Sequence, residues 1–174
     1  MSPTPAHSTR PSGELPVPAE LGKAIDELIS HYPQKRSASM MVLHAWQDHF
    51  GFISAAAMQW IARKLDLTPI NILELVTFYP MFRQDPVGRF QLKICRTLSC
   101  ALQGSHSLRE HLCGKLGLNA AEPGPQTTPD GRFTVEFVEC LANCAAAPVL
   151  LCNEEILEQA TPAKVDALVA RCSQ

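Results

Sequence analysis

Phe90-Gln91-Leu92-Lys93-Ile94-Cys95-Arg96-Thr97-Leu98-Ser99-Cys100 is the stretch that decides how the second half of the chain folds. Phe90, Leu92 and Ile94 alternate with Gln91 and Lys93, the period of two of a strand with one buried face. The strand runs into a cysteine pair with four residues between. A second stretch, Phe133-Thr134-Val135-Glu136-Phe137-Val138-Glu139-Cys140-Leu141-Ala142-Asn143-Cys144, is built alike. Phe133, Val135 and Phe137 alternate with Thr134 and Glu136 after a Pro129-Asp130-Gly131 turn, and the strand ends in a pair with three residues between. If the two strands are neighbours in one sheet, their loops emerge at the same edge and the four thiolates of Cys95, Cys100, Cys140 and Cys144 converge.

Around these strands the spacing changes. Val149, Leu150 and Leu151 form a continuous apolar run, as a strand buried on both faces would. Helices fit at about 104 to 117, carrying Leu108, Leu112 and Leu116, and at 162 to 172. In the latter Thr161 caps, Pro162 is the first helical residue, and Val165, Leu168 and Val169 line the inner face. Residues 119 to 131 read as a Pro- and Gly-rich surface loop. Asp85-Pro86-Val87-Gly88 is a turn and marks the expected domain boundary.

Upstream of that turn the period is helical. Leu21, Ala24, Ile25, Leu28 and Ile29 make one stripe ending near Tyr32-Pro33. A second helix starts after Ser37 or Ser39, carries Met41, Val42, Ala45, Trp46 and His49, and stops at Gly51 in a left-handed turn. Ser54 caps a third, with Met58, Ile61, Ala62 and Leu65 on its face. Thr68-Pro69 opens a fourth through Ile70 and Leu73. Residues 1–19 hold five prolines and little to pack, and are expected to be a disordered or partner-ordered tail. The expected fold class is α/β (α+β): a small helical bundle over 20–84, then an α/β domain over 85–174.

Composition limits the function. The chain has 174 residues, 46% of them hydrophobic, with 15 Lys+Arg against 17 Asp+Glu and 7 cysteines. At this length roughly 70% of the unfolded chain's surface can be buried, so the core needs no disulfides. A net charge of −2 without a dense basic run argues against nucleic acid or an acidic membrane surface. No secretory signal and no apolar run of about 18 residues is present, so a cytoplasmic chain without a membrane span is expected. In that setting an odd number of cysteines points to thiols or metal ligands rather than a disulfide framework.

Three chemistries use cysteines in this way. A structural zinc takes tetrahedral sulfur from closely spaced pairs. A [2Fe-2S] cluster also takes four thiolates, two on each iron. Dithiol redox chemistry typically uses Cys-x-x-Cys, which is absent here. Geometry alone leaves zinc and the cluster as close competitors. Arg96, Thr97, Ser99, Asn143 and the loop amides offer cations and donors to an anionic cluster, though the same residues suit an ordinary solvated loop.

The pattern Cys95-x4-Cys100, then Glu139-Cys140-x3-Cys144 followed by Ala147-Pro148, resembles the thioredoxin-like [2Fe-2S] ferredoxin, the E-type subunit of bacterial NADH:quinone oxidoreductase. Gln47-Asp48-His49-Phe50-Gly51, Val76-Thr77-Phe78-Tyr79 and Pro86-x-Gly88 are similar to that family's helical domain and its link to the ferredoxin domain. The likeness spans about residues 20 to 172. It implies a thioredoxin-like domain over 85–174, with Cys95 and Cys100 on one iron and Cys140 and Cys144 on the other. It further implies one [2Fe-2S] cluster exchanging single electrons with the FMN of a partner flavoprotein, which also binds NADH. A larger iron–sulfur subunit would be a second partner, in the peripheral arm of a membrane complex on its cytoplasmic side. One departure is Ala142, where the family usually has glycine.

Cys113, Cys152 and Cys172 lack paired spacing and read as small buried hydrophobes. His44 and His49 read as packed or surface histidines. Trp46, Trp60 and Met40-Met41 read as bundle core or subunit packing. No nucleotide-binding loop and no nucleophile–base arrangement occurs, so the chain has no expected catalytic residue of its own. Rival expectations are the equivalent diaphorase subunit of an NAD-dependent hydrogenase or formate dehydrogenase, a non-redox zinc-stapled interaction module, and a disulfide oxidoreductase.

Overall fold

The computed structural model describes residues 17 to 173. The tail expected over 1–19 lies, up to residue 16, outside them. Two compact units meet between Pro86 and Val87.

The first unit is helical: α1 (Ala19–Ser30), α2 (Ser39–Phe50), α3 (Ala55–Leu65) and α4 (Pro69–Phe78). Helix α1 begins at Ala19, one residue inside the expected tail. The ends follow local chemistry. Ser54 Oγ accepts a hydrogen bond from the Ala57 amide at 3.2 Å, and Gly51 closes α2 at φ 80°. Pro69 is the first residue of α4, where its missing N–H costs nothing. Ile25, Leu43, Trp46, Ile61 and Ile72 are the centre of the core, each 1% exposed or less. Each contributes roughly 2 kcal/mol by leaving water. Gln47 clamps the segment after α4: its Nε2 donates to the Met81 carbonyl at 2.8 Å and its Oε1 accepts from the Arg83 amide at 2.7 Å.

The second unit is a five-stranded sheet with helices packed on it. In chain order it contains β1 (Phe90–Cys95), α5 (Leu98–Leu102), α6 (Ser105–Leu116), β2 (Gln126–Thr127), β3 (Phe133–Val138), β4 (Leu150–Cys152), β5 (Glu155–Leu157) and α7 (Pro162–Cys172). The sheet order is β2-β3-β1-β4-β5. Strands β1 and β3 are parallel and the other pairs antiparallel. Leu92, Ile94, Val135, Leu150 and Cys152 share a core with Leu108, Leu112 and Cys113 of α6 and with Val165, Leu168 and Val169 of α7. Gly88 lies so close to β3 that an added Cβ would stand 2.6 Å from the Phe133 carbonyl carbon. Only glycine permits that approach.

Four elements differ from the sequence reading. Strands β2 and β5 are edge pieces of two and three residues, too short for periodicity to register. Residues 98 to 102 form a short helix rather than a loop. The run at Val149–Leu151 is shifted by one residue, and Leu151 is half-buried rather than covered on both faces.

Candidate metal centre

Register places the candidate ligands. Cys95 lies opposite Val138, so the parallel strands β1 and β3 release their chains at the same edge, with Cys140 two residues beyond. Two backbone bonds fix this edge: the Arg96 amide donates to the Val138 carbonyl at 3.0 Å, and the Cys95 amide to the Val149 carbonyl at 3.1 Å.

The first pair is enclosed. Thr97 adopts an extended conformation and opens α5, so Cys100 is the third residue of that helix. Cys95 and Cys100 are each 2% exposed and form an apolar cluster with Val149, against which Leu141 and Ala147 pack. Burial pushes the Cys95 thiol up. Hydrogen bonds from the Thr97 hydroxyl, the Leu141 and Thr97 amides and the Cys100 thiol outweigh it, and the net direction is down. The Thr97 Oγ1 lies 3.2 Å from Cys95 Sγ. Cys100 moves the other way, raised by burial and then by its hydrogen bond to Cys95. One thiol of the pair is thus favoured as thiolate, the form a metal binds.

The second pair is open. Cys140 and Cys144 are exposed. Between them Ala142 sits at φ 57°, in the left-handed region that favours glycine. Alanine holds this conformation at a cost of about 1 kcal/mol relative to glycine. The turn has a use: the Ala142 amide points back and donates to Cys140 Sγ at 3.3 Å. Amide donors to ligand sulfurs stabilise negative charge on them.

Arg96, next to Cys95, joins the loops by donating from Nε to Glu139 Oε1 at 3.0 Å, next to Cys140. Asn143 Nδ2 donates to Glu158 Oε1 at 2.7 Å. Of the polar residues named as donors, Thr97 therefore reaches a sulfur, whereas Arg96 and Asn143 engage carboxylates and hold the loops. The Glu139 and Glu158 contacts were not legible, because the partners lie 43 and 15 residues away in sequence.

Cys95 and Cys100 share one buried cluster, and Cys144 stands close enough to Cys100 to raise its pKa by charge. Among the described residues no three Cys, His, Asp or Glu side chains gather as around a single metal ion. A tetrahedral zinc needs its sulfurs about 2.3 Å from one ion. A binuclear cluster divides them between two irons. Two pairs on two loops at one sheet edge allow one pair for each iron.

Most of the other singled-out residues pack, but Met41 and Ile70, expected on helix faces, are 46% and 56% exposed. Cys113 is 0% exposed. His44 rests on Phe82, His49 on Phe50 and Trp46 on Trp60, with ring centroids 5.0, 4.6 and 5.1 Å apart. Missed by the sequence reading were Leu98 and Leu102, one helical turn apart on the outer face of α5 and 75% and 76% exposed. Apolar residues four apart beside a candidate ligand cysteine were the available signal.

Three comparisons with known proteins bear on this site. The family model for the thioredoxin-like [2Fe-2S] ferredoxin matches residues 25–173. The chain is 37% identical over 145 residues to an E-type subunit (E 2) of the NADH-quinone oxidoreductase of Rhizobium meliloti, covering 83% of this chain and 84% of that one. It is 36% identical to NADH-quinone oxidoreductase subunit 2 of Thermus thermophilus, covering 84% and 80%. It is 31% identical to the E-type subunit of the same enzyme in Aquifex aeolicus, covering 91% and 96%. Among solved structures it resembles an NAD+-reducing [NiFe]-hydrogenase in the air-oxidized state, with TM-score 0.62 and 27% identity, over 75% of this chain and 22% of that chain.

Proposed function

The chain belongs to the thioredoxin-like [2Fe-2S] ferredoxin family, and from that premise we propose that it is the E-type, electron-transfer subunit of an NADH:quinone oxidoreductase. Cys95 and Cys100 hold one iron of its cluster, and Cys140 and Cys144 the other. The single observation that carries the ligand assignment is the pair of parallel strand ends at one sheet edge, each delivering two cysteines. The relatives named above support the choice of complex.

When bound, the cluster supplies a site that takes up and returns one electron at a time. The protein's residues prepare for it. Thr97 and the Ala142 amide place donors against two of the four sulfurs. The Arg96–Glu139 pair holds the two loops together, and the enclosed first loop keeps water from its two thiols. The electron comes from a partner, a flavoprotein that carries FMN and binds NADH. Leu98 and Leu102 provide that flavoprotein with an apolar seat beside Cys100. In the division of labour we propose, residues 20–84 dock the chain and 85–174 hold the cluster. A larger iron–sulfur subunit completes the peripheral arm on the cytoplasmic side of the membrane. Among the described residues no helix is long and apolar enough to cross a membrane.

The likeness to the hydrogenase favours a second reading, the equivalent diaphorase subunit of an NAD-linked hydrogenase. Purification of the native assembly tests both. Visible absorbance that bleaches with dithionite, equal iron and sulfide, and a co-purifying flavoprotein are expected. A colourless chain with stoichiometric zinc sinks both readings, and a nickel-containing partner selects the second.

A further inference from the structure

Outside the candidate centre, the second unit brings together two more thiols that the sequence keeps far apart. Cys152 ends β4 and Cys172 ends α7. Cys152 is 6% exposed and Cys172 is half-buried against the same core, near enough for the Cys172 thiol to raise the Cys152 pKa by charge. Neither is in a disulfide.

The placement is built from both sides. Glu155 is the cross-strand partner of Cys152 in the β4–β5 hairpin, and the Arg171 guanidinium, next to Cys172, forms an ion pair with it. On the far side the Arg132 guanidinium donates to the Ser173 carbonyl at 3.0 Å, and Ser173 Oγ to the Val169 carbonyl at 2.8 Å. These bonds hold the last turn of α7 in place, so residue 172 does not fray away from β4 as helix ends otherwise do.

We propose that Cys152 and Cys172 are a thiol–disulfide site, oxidised to an internal bond by a small-molecule disulfide of the glutathione class. The Cys172 thiolate attacks one sulfur of the oxidant and releases one thiol equivalent, leaving a mixed disulfide. Cys152 then loses its proton and attacks Cys172 Sγ, and the second thiol equivalent departs. Two cysteine S–H bonds lose two protons and two electrons, one S–S bond forms, and the oxidant's S–S bond becomes two thiols.

The order of attack follows from burial. Desolvation, then the neighbouring Cys172, pushes the Cys152 thiol up to about 11, so it stays protonated and unreactive until Cys172 has been activated beside it. In a reducing compartment the pair rests as two thiols, and only an oxidising shift closes it. Closure staples α7 to the sheet. Loop-closure entropy predicts that the staple raises the melting temperature of this unit by roughly 10 °C.

The test uses the full, cluster-loaded protein treated with oxidised glutathione. Expected are a mass loss of two hydrogens, a non-reduced peptide joining residues 152 and 172, and unchanged visible absorbance. C152S should instead retain one glutathione on Cys172, and C172S should form neither product. Internal bond formation should quicken as pH rises, because thiolate is the attacking species. A wild-type protein that keeps glutathione on Cys172 without closing overturns the proposal. So does one whose 152 and 172 peptides stay unlinked and unmodified, or become linked to Cys113 or to the four candidate ligands. Because absorbance is read in the same sample, failure of the cluster assignment registers separately.

Discussion

The two cysteine loops leave neighbouring strands at the same sheet edge, yet they solve the problem of presenting thiols in opposite ways. The first turns at once into α5, and helix packing buries Cys95 and Cys100 to 2% exposure. The second stays irregular, with Cys140 and Cys144 in solvent and a left-handed alanine between them. The lesson is that a repeated strand–cysteine pattern sets where ligands arise, while the residues between the cysteines set how dry they are.

The comparison can be broken most severely at the sulfurs. Cys95→Ser and Cys140→Ser should each abolish most of the visible absorbance per chain, whereas Cys113→Ser should leave it intact. The two ligand variants should then part company without metal: Cys95→Ser costs about 1 to 2 kcal/mol in urea unfolding, because it leaves a more polar group in a closed apolar site. Cys140→Ser, already in water, costs almost nothing.

The next effect is on docking. Leu98→Asp with Leu102→Asp should release the proposed flavoprotein partner on size-exclusion chromatography at micromolar concentration while leaving the absorbance of this chain unchanged. Retention of the complex would remove α5 from the interface. Ala142→Gly then tests the second loop, with an expected gain of about 1 kcal/mol in unfolding free energy from relief of the positive φ. Ala142→Val should move in the opposite direction.

Finer tests address tuning. Thr97→Val removes the hydroxyl from Cys95 Sγ and should lower the reduction potential by tens of millivolts, read by dithionite titration of the absorbance. The smallest effect belongs to Arg96→Gln. The Arg96–Glu139 pair is 55% and 69% exposed, so its loss should change stability by less than about 1 kcal/mol, and less still at high salt.

Much of the fold was legible because it is local. Ser54, Gly51, Thr68-Pro69 and Thr161-Pro162 mark helix ends by satisfying or omitting backbone donors, and a helix starts or stops at each of them. The alternation in Phe90–Ile94 and Phe133–Phe137 announces the two strands that carry the cysteines. What escapes a sequence reading is either too short for a period, as with β2, β5 and α5, or decided by residues distant in the chain. Arg96 reads as a cation available to a cluster, yet Glu139 engages it. Cys152 and Cys172 read as unrelated packing residues, yet the fold sets them against one core.

By itself, the sequence determined the two secondary-structure regimes, the strand-end position of four cysteines and the absence of a recognised nucleotide motif. These depend on patterns repeating every two to four residues and on spacing along one loop. Only the tertiary structure decided that β1 and β3 lie side by side and parallel, that one cysteine pair is dry and the other wet, and that two further thiols share one core. Such outcomes depend on which distant surfaces exclude water from each other, a property of packing that no local window of sequence contains.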